Sequence, residues 1–142
     1  MKEIRAEVVI ASPPQRVWRV FSDFAAYPIW NVFLLRVTGE VKQGENLEIR
    51  VQLPGVKPAV YRATVLKADP EKELRWKWKD FLKGEHVFTL EPLGNNTTRF
   101  TQRVEFGFLS GALADKELTA KAEEMFGHMH RALKARCEES AD

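Results

Sequence analysis

The sequence predicts an α+β protein: a strongly curved, seven-stranded antiparallel sheet holding one long C-terminal helix, in the order β-α-α-β6-α. Three observations lead there. The chain opens with strand-like alternation in "EIRAEVVIA". Period-two runs resume from about Phe33 and persist to Phe106. Beyond Gly111 the apolar spacing changes to that of a single amphipathic helix. A sheet carrying all its helices on one face satisfies this order.

The first strand places Ile4, Ala6, Val8 and Ile10 on one face, with Arg5 and Glu7 opposite. "SPPQRVWRVFSDFAAYPIWN" then starts a helix and soon breaks it. Ser12 with Gln15 reads as a capping box, with Pro13 at the first helical position. Tyr27-Pro28 leaves room for little more than two short helices. Such helices are unstable alone, so Trp18, Phe21, Phe24, Tyr27 and Trp30 are expected to anchor them by burial.

In the strands that follow, Leu47, Ile49, Val51 and Leu53 share one face, as do Leu74, Trp76 and Trp78. His86, Phe88 and Leu90 form the next inward row, and Phe100, Gln102, Val104 and Phe106 the last. Turns are expected at Pro54-Gly55-Val56-Lys57-Pro58, at Asp69-Pro70-Glu71-Lys72 and at Gly94-Asn95-Asn96-Thr97. In the C-terminal helix Leu118, Ala122, Met125, Met129, Ala132 and Arg136 recur at four-three spacing, with Phe126 and Leu133 widening the stripe.

Composition narrows the function classes. At 142 residues, 44% hydrophobic and 30% charged, the chain has the content of one globular domain with a real core. With 22 basic and 20 acidic residues it points to neither nucleic acid nor a membrane surface. No apolar run approaches a membrane span, and the opening residues do not read as a signal peptide. Lone Cys137 excludes an internal disulfide and suits a reducing cytoplasm. No metal or cofactor is expected: there is no zinc spacing, phosphate loop or dinucleotide fingerprint. His128 and His130, two apart on a helix, point to nearly opposite sides and cannot share an ion. His128 reads as solvated and His130 as a rim residue.

The segments "IASPPQRVWRVFSDFAAYPIWNVF", "LRWKW", "GEHVFTLEPLGNNTTRFTQRVEFGF" and "MHRALKARCE" together resemble the polyketide cyclase/dehydrase family. That family belongs to the START-like, helix-grip superfamily, which also contains pollen-allergen-like proteins. The resemblance runs nearly end to end and implies a single helix-grip domain over residues 1–142. It also implies an apolar cavity between sheet and long helix. The two short helices would close the space under one end of that helix.

In such an interior the candidate ligand contacts are Tyr27 and Trp30 from the short helices and Trp76, Trp78, His86, Phe88, Phe100 and Gln102 from the strands. Met125 and Met129 complete the set from the helix. His86 is the one candidate for acid/base chemistry. A lone histidine among apolar neighbours reads first as a packed core residue, and second as the polar hook or acid/base of a pocket. Gln102, inward on the next strand, is its candidate hydrogen-bond partner.

Two function classes follow. One is a protein that takes up a hydrophobic, aromatic or polyketide-like molecule and carries, stores or senses it. The other is a cyclase or dehydratase acting in the same cavity. The sequence shows no pair of titratable groups for acid/base work, which favours binding. A third reading, a co-chaperone-like interaction domain, ranks last.

Overall fold

The computed structural model describes residues 2–52, 55, 57–79, 84–106 and 116–139; for 2, 105, 106 and 116–118 it describes the backbone alone. The side chains of Leu53, Phe106 and Leu118, and part of the expected turn at Pro54 to Pro58, lie outside the described residues.

The elements are β1 (Lys2–Ile10), α1 (Pro14–Ser22), a 3-10 turn (Phe24–Ala26), α2 (Tyr27–Trp30), β2 (Leu34–Thr38), β3 (Asn46–Val51), β4 (Ala59–Asp69), β5 (Glu73–Trp78), β6 (Glu85–Gly94), β7 (Thr97–Phe106) and α3 (Lys116–Glu138). The seven strands form one antiparallel sheet in the order β1-β7-β6-β5-β4-β3-β2. This is the helix-grip architecture. Register shifts between β2 and β3, at Val65/Lys67 and at Pro92/Gly94 supply local bends in the sheet.

This order explains the short helices. β1 and β2 are consecutive in sequence but lie at opposite edges of the sheet. Six strand spacings would separate them by about 29 Å in a flat sheet. The segment between them must therefore cross the sheet, and it does so as α1, the turn and α2. α1 packs on α3, β6 and β7, while α2 packs on β2 and α3. Phe21, Phe24 and Tyr27 are buried, and Phe21 contacts Phe88 and Phe100 across the interior at ring-centroid distances of 4.7 and 5.1 Å.

The helix start differs from the expectation. Pro14, not Pro13, occupies the first helical position, and among the described residues no side chain caps the helix start. The reason is the second proline: a residue before proline is disfavoured in the helical region. Pro13 is accordingly extended, at ψ 158°. That moves the helix start one residue on and takes Ser12 out of the capping position. Ser12 is instead buried, its carbonyl accepting from the Thr98 hydroxyl at 2.8 Å.

At the far end of α1, the Phe21 carbonyl lies in the last turn, where helical partners run out. The Tyr27 hydroxyl donates to it. Tyr27→Phe is expected to lower stability by about 1–2 kcal/mol with little change in packing. A urea midpoint that drops with an unchanged slope would establish this; an unshifted midpoint would show the bond contributes nothing.

The C-terminal end of α3 is fastened at the opposite end of α1, where β1 gives way to that helix. Arg16 donates to the carbonyls of Cys137, in the last turn of α3, at 2.7 Å and of Glu139, just beyond it, at 3.3 Å. Lys134 donates to the Val9 carbonyl, and the Ala11 amide donates to Glu138.

The inward rows follow the expected alternation. Leu47, Ile49, Val51, Leu74, Trp76, Trp78, Phe88, Leu90, Phe100 and Val104 are all buried in one core with Met129. Between β6 and β7, Asn95 and Asn96 both have positive φ, 53° and 55°, as the tight hairpin turn requires. The stripe on α3 is rotated from the expected one. Phe126, Met129, His130, Leu133 and Cys137 are buried, while Ala122, Met125, Ala132 and Arg136 are half-buried.

Candidate functional site

The middle of the sheet builds the site through its register. On β5 and β6 Trp76 lies opposite His86 and Leu74 opposite Phe88, while on β6 and β7 Phe88 lies opposite Gln102. Gln102 is therefore the diagonal neighbour of His86 on the same face, within reach of a long side chain. Its Nε2 lies 2.8 Å from His86 Nε2. Its Oε1 lies 2.8 Å from His130 Nε2. One amide thus links a strand histidine to a helix histidine across the interior.

Both histidines are buried, and so is Gln102. His130 is therefore not the rim residue that its sequence neighbours imply. It lies on the buried face of α3, edge-on to Phe100 at a centroid distance of 5.3 Å. His128 behaves as expected: exposed, within ion-pair distance of Glu124 and bonded by Arg131.

Around His86 the surroundings are aromatic. Its ring stacks on Phe88 at 4.5 Å and 15°, with Trp76 at 5.2 Å and Phe33 and Phe126 each at 5.9 Å. Such an environment solvates an imidazolium poorly. Burial pushes the His86 pKa down to about 3, with nearby His130 adding to the effect. Burial also pushes that of His130 down to about 4. Both rings are neutral near pH 7. Each keeps one nitrogen, Nδ1, buried and without a hydrogen-bond partner among the described residues. The same holds for the indole nitrogens of Trp76 and Trp30.

The remaining candidates divide by location. Trp76, Trp78, Phe88, Phe100 and Met129 join His86 and Gln102 in the buried core. Tyr27 is also fully buried, but its hydroxyl is engaged with α1, and burial raises its pKa well above the usual phenol value. Trp30 is half-buried and packs edge-on against Tyr27 at 5.2 Å. Met125 is half-buried on the side of α3 next to the buried stripe.

Sequence reasoning passed over His130, Phe33 and Phe126 as site residues. The available signal was spacing: His130 is four residues after Phe126 and three before Leu133, on their face of the helix. With His130 included, the interior does hold a pair of titratable groups, contrary to the expectation of none.

Comparison with known proteins agrees with this architecture. The family described as "Polyketide cyclase / dehydrase and lipid transport" matches residues 1–138. The chain belongs to this family. Its fold is similar to that of the Zhui aromatase/cyclase from Streptomyces sp. R1128, at TM-score 0.79 and 17% identity, over 96% of this chain and 93% of that one. A START superfamily protein from Mycobacterium smegmatis superposes at TM-score 0.75 and 24% identity, over 96% and 97% of the two chains. The Aha1 dimer from Colwellia psychrerythraea gives TM-score 0.74 and 16% identity over all of both chains. Among curated proteins no sequence match is found. Among the described residues no helix is long and apolar enough to cross a membrane.

Proposed function

We propose that this family member binds a hydrophobic, aromatic or polyketide-like small molecule between the sheet and α3, as a carrier, store or sensor. The observation that carries the reading is a pair of ring nitrogens, His86 Nδ1 and Trp76 Nε1, buried without partners among the described residues in a largely aromatic interior. Leaving such an atom unsatisfied costs about 1–3 kcal/mol, which a ligand oxygen would offset. Flat aromatic walls with few polar groups are the usual lining of a small-molecule site. The family description, which joins cyclases to lipid transport, supports the same ligand class. Cys137 is free and buried, which is compatible with a reducing, cytoplasmic setting.

A second reading, a cyclase or dehydratase in the same interior, is favoured by one feature: the His86–Gln102–His130 link. It gives a ligand two neutral rings able to give and take protons. The co-chaperone reading draws support only from the shared fold.

The test is direct. A polycyclic aromatic probe should bind at one saturable site and perturb tryptophan emission through Trp76 and Trp78. Micromolar affinity, about −8 kcal/mol, is expected from buried apolar area. His86→Phe keeps the bulk and removes the hook. It should weaken carbonyl or hydroxylated ligands by roughly 1–2 kcal/mol and leave purely apolar probes unchanged. No saturable binding across a varied apolar library would overturn the proposal.

A further inference from the structure

The link between the two histidines has a chemical constraint built into it. A primary amide presents N–H donors on one side and an acceptor oxygen on the other. Gln102 meets one ring with each: Nε2 faces His86 Nε2, and Oε1 faces His130 Nε2, both at 2.8 Å. Where the amide donates, the ring nitrogen must be bare, so His86 carries its proton on Nδ1. Where the amide accepts, the ring must donate, so His130 carries its proton on Nε2 and its Nδ1 is bare. Turning the amide by half a turn reverses both assignments together. In either orientation the two unpartnered Nδ1 atoms are one donor and one acceptor, never two alike.

We infer that Gln102 is a specificity-determining positioning residue that holds His86 and His130 in opposite tautomers and exchanges them as a pair to suit the ligand. The inference rests on the reading that the interior takes a small molecule. An oxygen that only accepts, such as a ketone carbonyl, selects the state in which His86 Nδ1 carries the proton. A group that only donates selects the reverse. In both cases the choice at His86 is coupled to that at His130 through the orientation of the Gln102 amide: each ring gives up the proton on one nitrogen to water and takes one from water on the other, so the net protonation of the pair is unchanged. Burial of both rings supports this, because an imidazolium would present two donors and break the pairing. The aromatic surround of His86 would accept either class of flat ligand, and the Trp76 indole N–H can only donate, so the adjustable part of the discrimination between carbonyl and N–H or O–H groups falls to the tautomer.

Two-bond proton–nitrogen correlation spectra of 15N-histidine-labelled protein at pH 7 read the tautomers directly. His128→Gln removes the exposed ring, and contacts to Phe100 identify His130. In the free protein the Nδ1–H fractions of His86 and His130 should add to about one. Two matched tricyclic probes then test the exchange: fluorenone, which only accepts, and carbazole, which donates through its N–H. Fluorenone should drive His86 to Nδ1–H and His130 to Nε2–H, and carbazole should drive both the other way. Like tautomers in the free protein, or the same pair of tautomers with both probes, would overturn the inference. Failure of both probes to bind would count against the ligand reading alone, since the pairing is read from the free protein.

Discussion

Gln102→Leu is expected to lower the unfolding free energy by about 2–6 kcal/mol, although leucine is comparable to glutamine in size. The loss arises from what the substitution leaves behind. Gln102 serves two buried ring nitrogens at 2.8 Å each, and both would lose their only described partner. Each orphan costs about 1–3 kcal/mol, more than a typical bond contributes when both partners are present. The same asymmetry predicts a recovery. Replacing all three residues, His86→Phe with Gln102→Leu and His130→Phe, removes the polar atoms together and should restore much of the stability. Urea unfolding of the single and triple variants, followed by tryptophan emission, measures this. A Gln102→Leu variant within about 0.5 kcal/mol of the parent would show that the link is not a stabilising element. A triple variant worse than the single one would point instead to packing strain.

The strands were legible because alternation depends on one local property, which face is buried. Leu74, Trp76 and Trp78 could be assigned inward from six residues of sequence, and all three are buried. His86 and Gln102 were likewise placed on the right face and on adjoining strands, and the register then brings them diagonally together. The helix was less legible. A stripe drawn through Ala122, Met125, Ala132 and Arg136 weighs small, flexible and long charged residues equally with large ones. In the fold, Phe126 and Leu133 set the rotation, and the stripe moves onto His130 and Cys137. A histidine enters such a face only if a partner satisfies it, and that partner is 28 residues away on β7. No local pattern contains that information. The start of α1 failed for a different reason. Ser12 and Gln15 had the spacing of a cap, but the restriction that Pro14 places on Pro13 outweighed it.

Acid should destabilise this protein well above the range in which carboxylates usually respond. The two buried histidines have folded pKa values of about 3 and about 4, against an ordinary value of 6.5. Below pH 6.5 the unfolded chain therefore binds protons that the folded chain refuses. Their neutral forms are fully compatible with folding above pH 6.5, and stability is lost progressively as the pH falls toward the folded values. At pH 4.5, two units below the unfolded pKa, each histidine would cost roughly 2.7 kcal/mol, or about 5 kcal/mol for the pair. That is comparable with the whole stability of many domains. Charging both rings is harder than charging one, because the first imidazolium repels the second through the shared Gln102 link. Glu138, whose pKa is held down by its hydrogen bonds from Lys134 and the Ala11 amide, acts in the same direction but only below its ordinary value of 4.5. Among the described groups with a shifted pKa, the histidines therefore dominate the window from pH 6.5 to 4.5. Urea midpoints measured across it should fall steeply for the parent. They should fall far less for the variant carrying His86→Phe, Gln102→Leu and His130→Phe, which retains exposed His128 but no buried histidine. Equal slopes for the two proteins would mean that water or local opening lets the rings charge in place, and that the interior is not the low-dielectric compartment its aromatic lining implies.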